Sequence, residues 1–332
     1  MHAGKRFTLK QVVYWTRRDI YLLAVISIIP TALYYFLDWK WLVIPWVAIG
    51  LVGTAAAFIV GFKNTQTYNR LWDARQIWGS IINSSRALGI MARDFMPSEP
   101  GEAKKIIYRH IAWITALRYQ MREPRAWENM DLISNVEFKS FYAIPEHETK
   151  LEAELTKYIP AEEMDYVLSK KNRATQLIAV QSRELRRLKD SGKMTEFEFL
   201  EFEKLLATLY EHQGRSERIK NFPYPRQFAT INQMFIRLFM CMLPFGILQE
   251  FSKMSKEIGD SFIWLTVPCS LIVSWVFYIM ERIGDATENP FQGGPNDVPI
   301  SNISRTIEID LREMLDEKDL PPAITAVNDI LM

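Results

Sequence analysis

Cysteine is almost absent from this chain: Cys241 and Cys269 are the two among 332 residues. Two cysteines so placed exclude a disulfide framework and a Cys-based metal knuckle. Both lie inside apolar runs, where they are expected as small core residues. Histidine is nearly as scarce. His2, His110, His147 and His212 form no HExxH or other ligand spacing, so no metal and no cofactor is expected. A P-loop glycine run and a G-x-S-x-G elbow are both missing, and the chain is not expected to be an enzyme. An excess of one charge is missing too: 40 Lys and Arg against 39 Asp and Glu leave a net charge of +1. That balance argues against a nucleic-acid footprint, and a run such as Arg183-Glu184-Leu185-Arg186-Arg187 reads as a solvated helix face. Internal repeats and low-complexity tracts are also lacking.

What the chain does have is long uncharged runs. A mean hydropathy of -0.07 would suit a soluble protein, but it averages two different materials. Trp41 to Phe62 carries no charge for 22 positions and then meets Lys63. About 20 helical residues at 1.5 Å each cross a hydrocarbon core of roughly 30 Å. Ile20 to Leu37, Phe228 to Leu248 and Ser261 to Met280 are three further stretches of this kind. The expected class is all-α, with four transmembrane helices in two pairs and about 165 charged, helix-rich residues between the pairs. The expected organisation is a cytosolic N-terminal arm at 1–19, spans one and two at 20–62, and a cytosolic helical domain at 63–227. Spans three and four follow at 228–280, then a cytosolic C-terminal loop and helix at 281–332.

Orientation follows from basic residues in short flanks. Lys5, Arg6, Lys10, Arg17 and Arg18 precede span one, and Lys63, Arg70 and Arg75 follow span two. The turn between those spans holds only Asp38 and Lys40, and Glu250 to Asp260, expected as the loop between spans three and four, is balanced in charge. Both termini and the middle segment are therefore expected in the cytoplasm, with the protein in the inner membrane. Trp39, Trp41 and Trp46 with Tyr34 and Tyr35 fit an interfacial belt at the outer turn. The first run is too long for a signal-peptide core, and a second span follows directly.

Nothing breaks the helix at Phe62, so span two is expected to continue to about Phe95, with Pro97, Pro100 and Gly101 ending it. Helices are expected over Ala103 to Arg122, 161 to 190 and 194 to 220, the last two parted by Asp190-Ser191-Gly192. Pro223-Tyr224-Pro225 demands an extended entry to span three. A closing helix at Ser301 to Leu315 has Ser301-Asn302 as its candidate cap.

Gly50, Thr54, Phe58 and Phe62 recur every fourth residue, close to one line on a helix. Small residues crowd beside that line (Gly53, Ala55, Ala56, Ala57, Gly61), which allows close approach of neighbouring backbones, including those of other chains. The line has two readings: rings filling a four-helix core, or stacked apolar collars around an axis shared by several copies, which gate ions by excluding water. Arg237 is an ionisable residue within a span, where it faces protein or water. It either lines a polar vestibule or pairs with Gln233, Asn232 or a carboxylate near a membrane face.

Gly61-Phe62, then Arg70-x-Trp72-x-x-Arg75-x-x-Trp78-Gly79 and Ser85-Arg86, resemble the bestrophin family, bacterial branch. So do Arg218-Ile219 before Pro223-x-Pro225, Asn289-Pro290-Phe291 with Asn296-Asp297-x-Pro299, and Ser304-Arg305-Thr306-Ile307-Glu308-Ile309-Asp310-Leu311. The resemblance implies a closed homopentamer in the membrane lipid, with five second helices lining one pore above a cytosolic vestibule. It places the neck at Thr54, Phe58 and Phe62, and a second, cytosolic constriction near Phe197. Thr54 departs from the usual aliphatic residue, so the outer ring is expected to be wider and wetter. Monovalent ions are implied as the permeant species, chloride and other anions first. A sodium-type cation channel of the same fold is one alternative, and a non-conducting scaffold or sensor is another. The animal members' calcium clasp is an acidic run. Here it reads Gln292-Gly293-Gly294-Pro295-Asn296-Asp297, one carboxylate against the 6–8 oxygens that calcium takes.

Overall fold

Helices follow one another with only isolated β-bridges among the described residues, which in this computed structural model are 1–96, 98–130, 135–136, 139 and 141–332. Among the described residues, four helices are long and apolar enough to cross a membrane. The chain divides into two units, one of Lys5–Asn69 with Pro223–Glu288, the other of Met1–Gly4, Arg70–Phe222 and Asn289–Met332.

The first unit holds α1 (Leu9–Phe36), the start of α2 (Trp46–Phe95), α6 (Arg226–Ile258) and α7 (Thr266–Thr287). A capping box starts α1: Thr8 Oγ1 accepts from the Gln11 amide, and the Thr8 amide donates to Gln11 Oε1 at 2.7 Å. Leu23, Val60, Ile236 and Met240 meet in one cluster, and Ile49, Ala56, Phe239 and Leu243 in a second. Packing in this material rests on close van der Waals contact rather than on transfer from water. Gly53 is an example, since a Cβ there would stand 2.7 Å from the Phe239 ring. The small-residue patch is thus divided. Gly53 and Ala56 are taken up inside the chain, while Ala55, Ala57 and Gly61 stay exposed.

Several expectations need correction here. The segment after Leu248 is not a loop: α6 continues to Ile258 and stops at Gly259, whose φ of 133° a side chain would resist. The cysteines are not core residues, for Cys241 is exposed and Cys269 half-buried. Tyr34 is buried against Leu42, Leu248 and Ile263 rather than standing in an aromatic belt, whereas Trp39, Trp41 and Trp46 are exposed.

The second unit is built around α3 (Pro100–Arg122), which is buried on every side from Ile106 to Arg118 except at Tyr108. An all-round buried helix needs partners for its polar side chains. Arg109 grips Glu163 at 2.6 and 2.9 Å and donates to Gln181 at 2.9 Å. Trp113 donates to Gln213 Oε1 at 2.9 Å, and His110 Nε2 lies 2.9 Å from Ser85 Oγ. Removing one partner of the Arg109–Glu163 ion pair costs about 3–5 kcal/mol, and of a neutral buried pair about 1–3 kcal/mol. Around α3 stand the later part of α2, then α4 (Arg173–Asp190), α5 (Glu196–Asn221) and α8 (Ile300–Glu313).

Pro97, expected to end α2, lies outside the described residues, as does part of the segment 123–163. Where one helix was expected over 161 to 190, the chain breaks after Leu168 and restarts at Arg173. Asn172 accounts for the restart, its side chain accepting from the Thr175 amide at 3.0 Å. Ser301 and Asn302 do not cap α8. Ser301 Oγ donates to Glu146 at 2.6 Å and Asn302 Nδ2 to the Ile324 carbonyl at 3.0 Å, while the helix begins after Pro299. Residues 1–4 are no free arm either, because Ala3 N donates to Asp329 O at 2.7 Å and Leu331 N to Met1 O at 2.8 Å.

Candidate functional site

The uncharged part of α2 has two faces. Ile49, Gly53, Ala56, Val60, Lys63 and Thr67 are spaced four and three apart, and every one is buried. Thr54, Phe58 and Phe62 lie on the other side, all exposed, Phe58 at 77% and Phe62 at 49%. The Thr54 hydroxyl is turned back onto the Gly50 carbonyl at 2.9 Å, which leaves its methyl outward. Within one chain, then, neither ring fills the four-helix core. The other spans expose a different set, Tyr21, Leu22, Val25, Ile28 and Ile29 on α1 and Phe228, Ile231, Met234, Phe235 and Leu238 on α6. The α1 set is bulky and apolar, as lipid contact allows, whereas α6 exposes Thr230, Arg237 and Cys241 as well. The exposed face of α2 instead sets Ala55, Ala57, Gly61 and Thr65 among its two rings, a composition that suits close helix neighbours.

Phe197 belongs to the second unit, in the first turn of α5, and is 83% exposed. Thr195 fixes that turn through a capping box with Glu198, at 3.3 Å to the Glu198 amide. Arg237 shares a small cavity with Gln233, Tyr278, Glu281, Arg282 and Asp285, so carboxylates do stand near it. Asp297 is fully buried, and one of its oxygens accepts from the Gly293 and Gly294 amides at 2.7 and 2.9 Å. The turn at Gly293, with φ 95°, is therefore closed by that carboxylate itself. Burial pushes the Asp297 carboxyl up to about 6, against the pull of Arg122 and of those two amides. No cluster of His, Cys, Asp and Glu suited to a metal occurs among the described residues.

By sequence Lys63 ends an uncharged run and counts among its basic flanking residues. Its side chain is 1% exposed, and its ammonium lies 2.5 Å from Asp285 Oδ1 and 3.8 Å from Glu281 Oε1 on α7. Asn64 Nδ2 donates to the Met280 carbonyl at 2.9 Å, and Thr287 Oγ1 donates to Thr67 Oγ1 at 3.0 Å. Gly284 makes room for this, since a Cβ there would stand 2.5 Å from Asn64 Oδ1. Two patterns could have revealed it: Lys63 continues the buried four-three spacing, and Glu281 and Asp285 fall at i and i+4 on α7.

A family model described as Bacterial/Fungal Bestrophin protein matches residues 6–313. The voltage-dependent anion channel-forming protein YneE of Salmonella typhi is 26% identical over 301 residues, 91% of this chain and 86% of that protein. Its namesake in Escherichia coli K12 is 25% identical over 305 residues, 92% and 86% respectively. Among solved structures, a bacterial bestrophin homolog from Klebsiella pneumoniae superposes with a TM-score of 0.76 at 22% identity, covering 92% of this chain and 99% of that one. At that identity the superposition speaks for the fold.

Proposed function

This chain belongs to the bacterial and fungal bestrophin family, and from that premise we propose that it is an anion channel of the cytoplasmic membrane, assembled as a closed homopentamer. Five copies of α2 turn Thr54, Phe58 and Phe62 to a common axis as the neck, and Phe197 forms a second constriction on the cytosolic side. Monovalent anions pass through the collars, which carry no charge and restrict flow by disfavouring water. The termini and the helical unit around α3 lie in the cytoplasm, in keeping with the basic flanks Lys5 to Arg18 and Lys63 to Arg75.

The observation that carries this reading is the outward face of α2. Two phenylalanines one turn apart stand exposed among Ala, Gly and Thr, on a span whose opposite face already meets the packing needs of its own chain. The bulky exposed face of α1 supports lipid contact there. The names of the relatives, voltage-dependent anion channel-forming proteins, support anions over cations.

Reversal potentials of the purified protein in planar bilayers, measured across a potassium chloride gradient, test it. A shift toward the chloride equilibrium potential is expected. A shift toward that of potassium would make this a cation channel on the same frame. Absence of current from correctly assembled protein would leave the scaffold or sensor reading.

A further inference from the structure

The start of α2 is held mainly by uncharged close packing, Gly53 on the Phe239 ring and Ile49 on Gly246, with one polar contact from the Trp46 amide to Gln249 Oε1 at 2.9 Å. The next turn is different. From Lys63 to Thr67 the helix is fastened to α7 by directional polar contacts: the Lys63 ammonium to Asp285 and Glu281, the Asn64 amide to the Met280 carbonyl, and the Thr67 hydroxyl to Thr287. A buried ammonium without a carboxylate beside it carries a large desolvation penalty, which confines Lys63 to the place where Asp285 and Glu281 stand.

Lys63 directly follows Phe62. Successive residues project about 100° apart around a helix of 3.6 residues per turn. Pinning Lys63 against α7 therefore dictates where Phe62 points and, one turn earlier on the same line, where Phe58 points.

We propose that Lys63 and Asp285, with Glu281 behind them, are positioning residues of the channel: their buried ion pair holds α2 at the rotation that aims Phe58 and Phe62 into the neck. The inference rests on the neck reading above and adds its mechanical cause. Lys63 does not touch the permeating ion. It acts through the rings, and losing the pair lets α2 turn and the collars lose their alignment.

The test is anion flux from liposomes holding the full chain, per assembled channel, for Lys63→Met, Lys63→Arg, Asp285→Asn, Phe62→Ala and the double variant Lys63→Met with Phe62→Ala. Assembly is checked by native mass spectrometry. Lys63→Met and Asp285→Asn are expected to leak several-fold more than the parent, while Lys63→Arg, which keeps the pair, stays tight. The double variant is expected to leak little more than Phe62→Ala, because both changes act on one collar. A purely structural ion pair would lower yield and melting temperature while leaving flux per channel and this non-additivity unmoved. If Lys63→Met does not assemble, Asp285→Asn carries the comparison, since its side chain keeps its size while losing the charge that pairs with Lys63. Tight Asp285→Asn and Lys63→Met channels beside a leaky Phe62→Ala would overturn the positioning role and leave the neck standing. Leak from Lys63→Arg equal to that from Lys63→Met would overturn it as well. Tight channels from Phe62→Ala and Phe58→Ala would remove the neck itself and this proposal with it.

Discussion

Phe58 and Ala56 lie two residues apart on α2 and face opposite ways: Phe58 is 77% exposed and Ala56 1%. That opposition separates the packing side of the helix from the side offered to an axis. It leads to the first prediction. Phe58→Ala and Phe62→Ala are expected to assemble like the parent and to raise anion leak from liposomes, because each removes most of a ring from an apolar collar. Thr54→Ala is expected to do much less, Thr being small and its hydroxyl already bonded to Gly50. At Phe197, also exposed, truncation is expected to shift selectivity among anions of different size. If both neck variants assemble and leak no more than the parent, the rings face lipid or a flat subunit contact.

Assembly is a separate prediction. Ala55, Ala57 and Gly61 remain exposed after the chain has buried Gly53 and Ala56, which leaves a small-residue strip for a neighbouring copy. Native mass spectrometry in detergent is expected to give one closed species of five chains. A stable monomer or dimer would sink the axial pore, because one chain cannot enclose its own α2 line.

Calcium is expected to be dispensable. Asp297, the one carboxylate in the stretch after Asn289-Pro290-Phe291, is buried and already holds the Gly293 and Gly294 amides. Currents recorded with chelator and with micromolar calcium are expected to match. Strong, saturable activation by micromolar calcium would mean that ligands come from elsewhere in the assembly.

Two buried groups contribute to stability against pH with opposite signs. Burial pushes His110 down to about 3 from 6.5, so its contribution is present above pH 6.5 and is lost as pH falls toward 3. Linkage puts that loss at about 2 kcal/mol by pH 5. Asp297 is raised from 3.8 to about 6, so its contribution is present below pH 3.8 and is lost as pH rises through 6. At pH 5 it offsets roughly 1 kcal/mol of the histidine's loss. Burial also lowers the Met1 ammonium from 8.0 to about 5 and lowers the His212 imidazole, losses of the same sign as that of His110, so the parent's melting temperature in detergent is expected to fall between pH 7.5 and 5. His110→Gln is expected to flatten that fall, and Asp297→Asn to steepen it. Parallel profiles for the two variants would show that neither group governs the acid response.

The spans, the unbroken helix through Phe62, and the line Thr54-Phe58-Phe62 were all legible in the sequence. Each depends on local geometry: an uncharged run long enough for a bilayer, the absence of Pro, and a repeat of four residues on a helix with 3.6 per turn. The resemblance to bestrophins was legible for a related reason, as ordered short motifs survive at low overall identity. What lies across the chain was not legible. Whether Phe58 faces the core or the outside depends on which side of α2 the other three helices take, and Ile49, Ala56 and Val60 won that side by packing closely on Phe239 and its neighbours. Ser301 looked like a helix cap because local spacing permits one, but the buried carboxylate of Glu146, 155 positions away, claims its hydroxyl. Lys63 looked like the charged end of a span. Only the arrival of α7, 222 residues later in the chain, supplies the Asp285 carboxylate that makes burying that ammonium tolerable. Long-range partners of this kind leave no periodic trace on either segment alone, since burial and charge pairing are decided jointly when the helices meet.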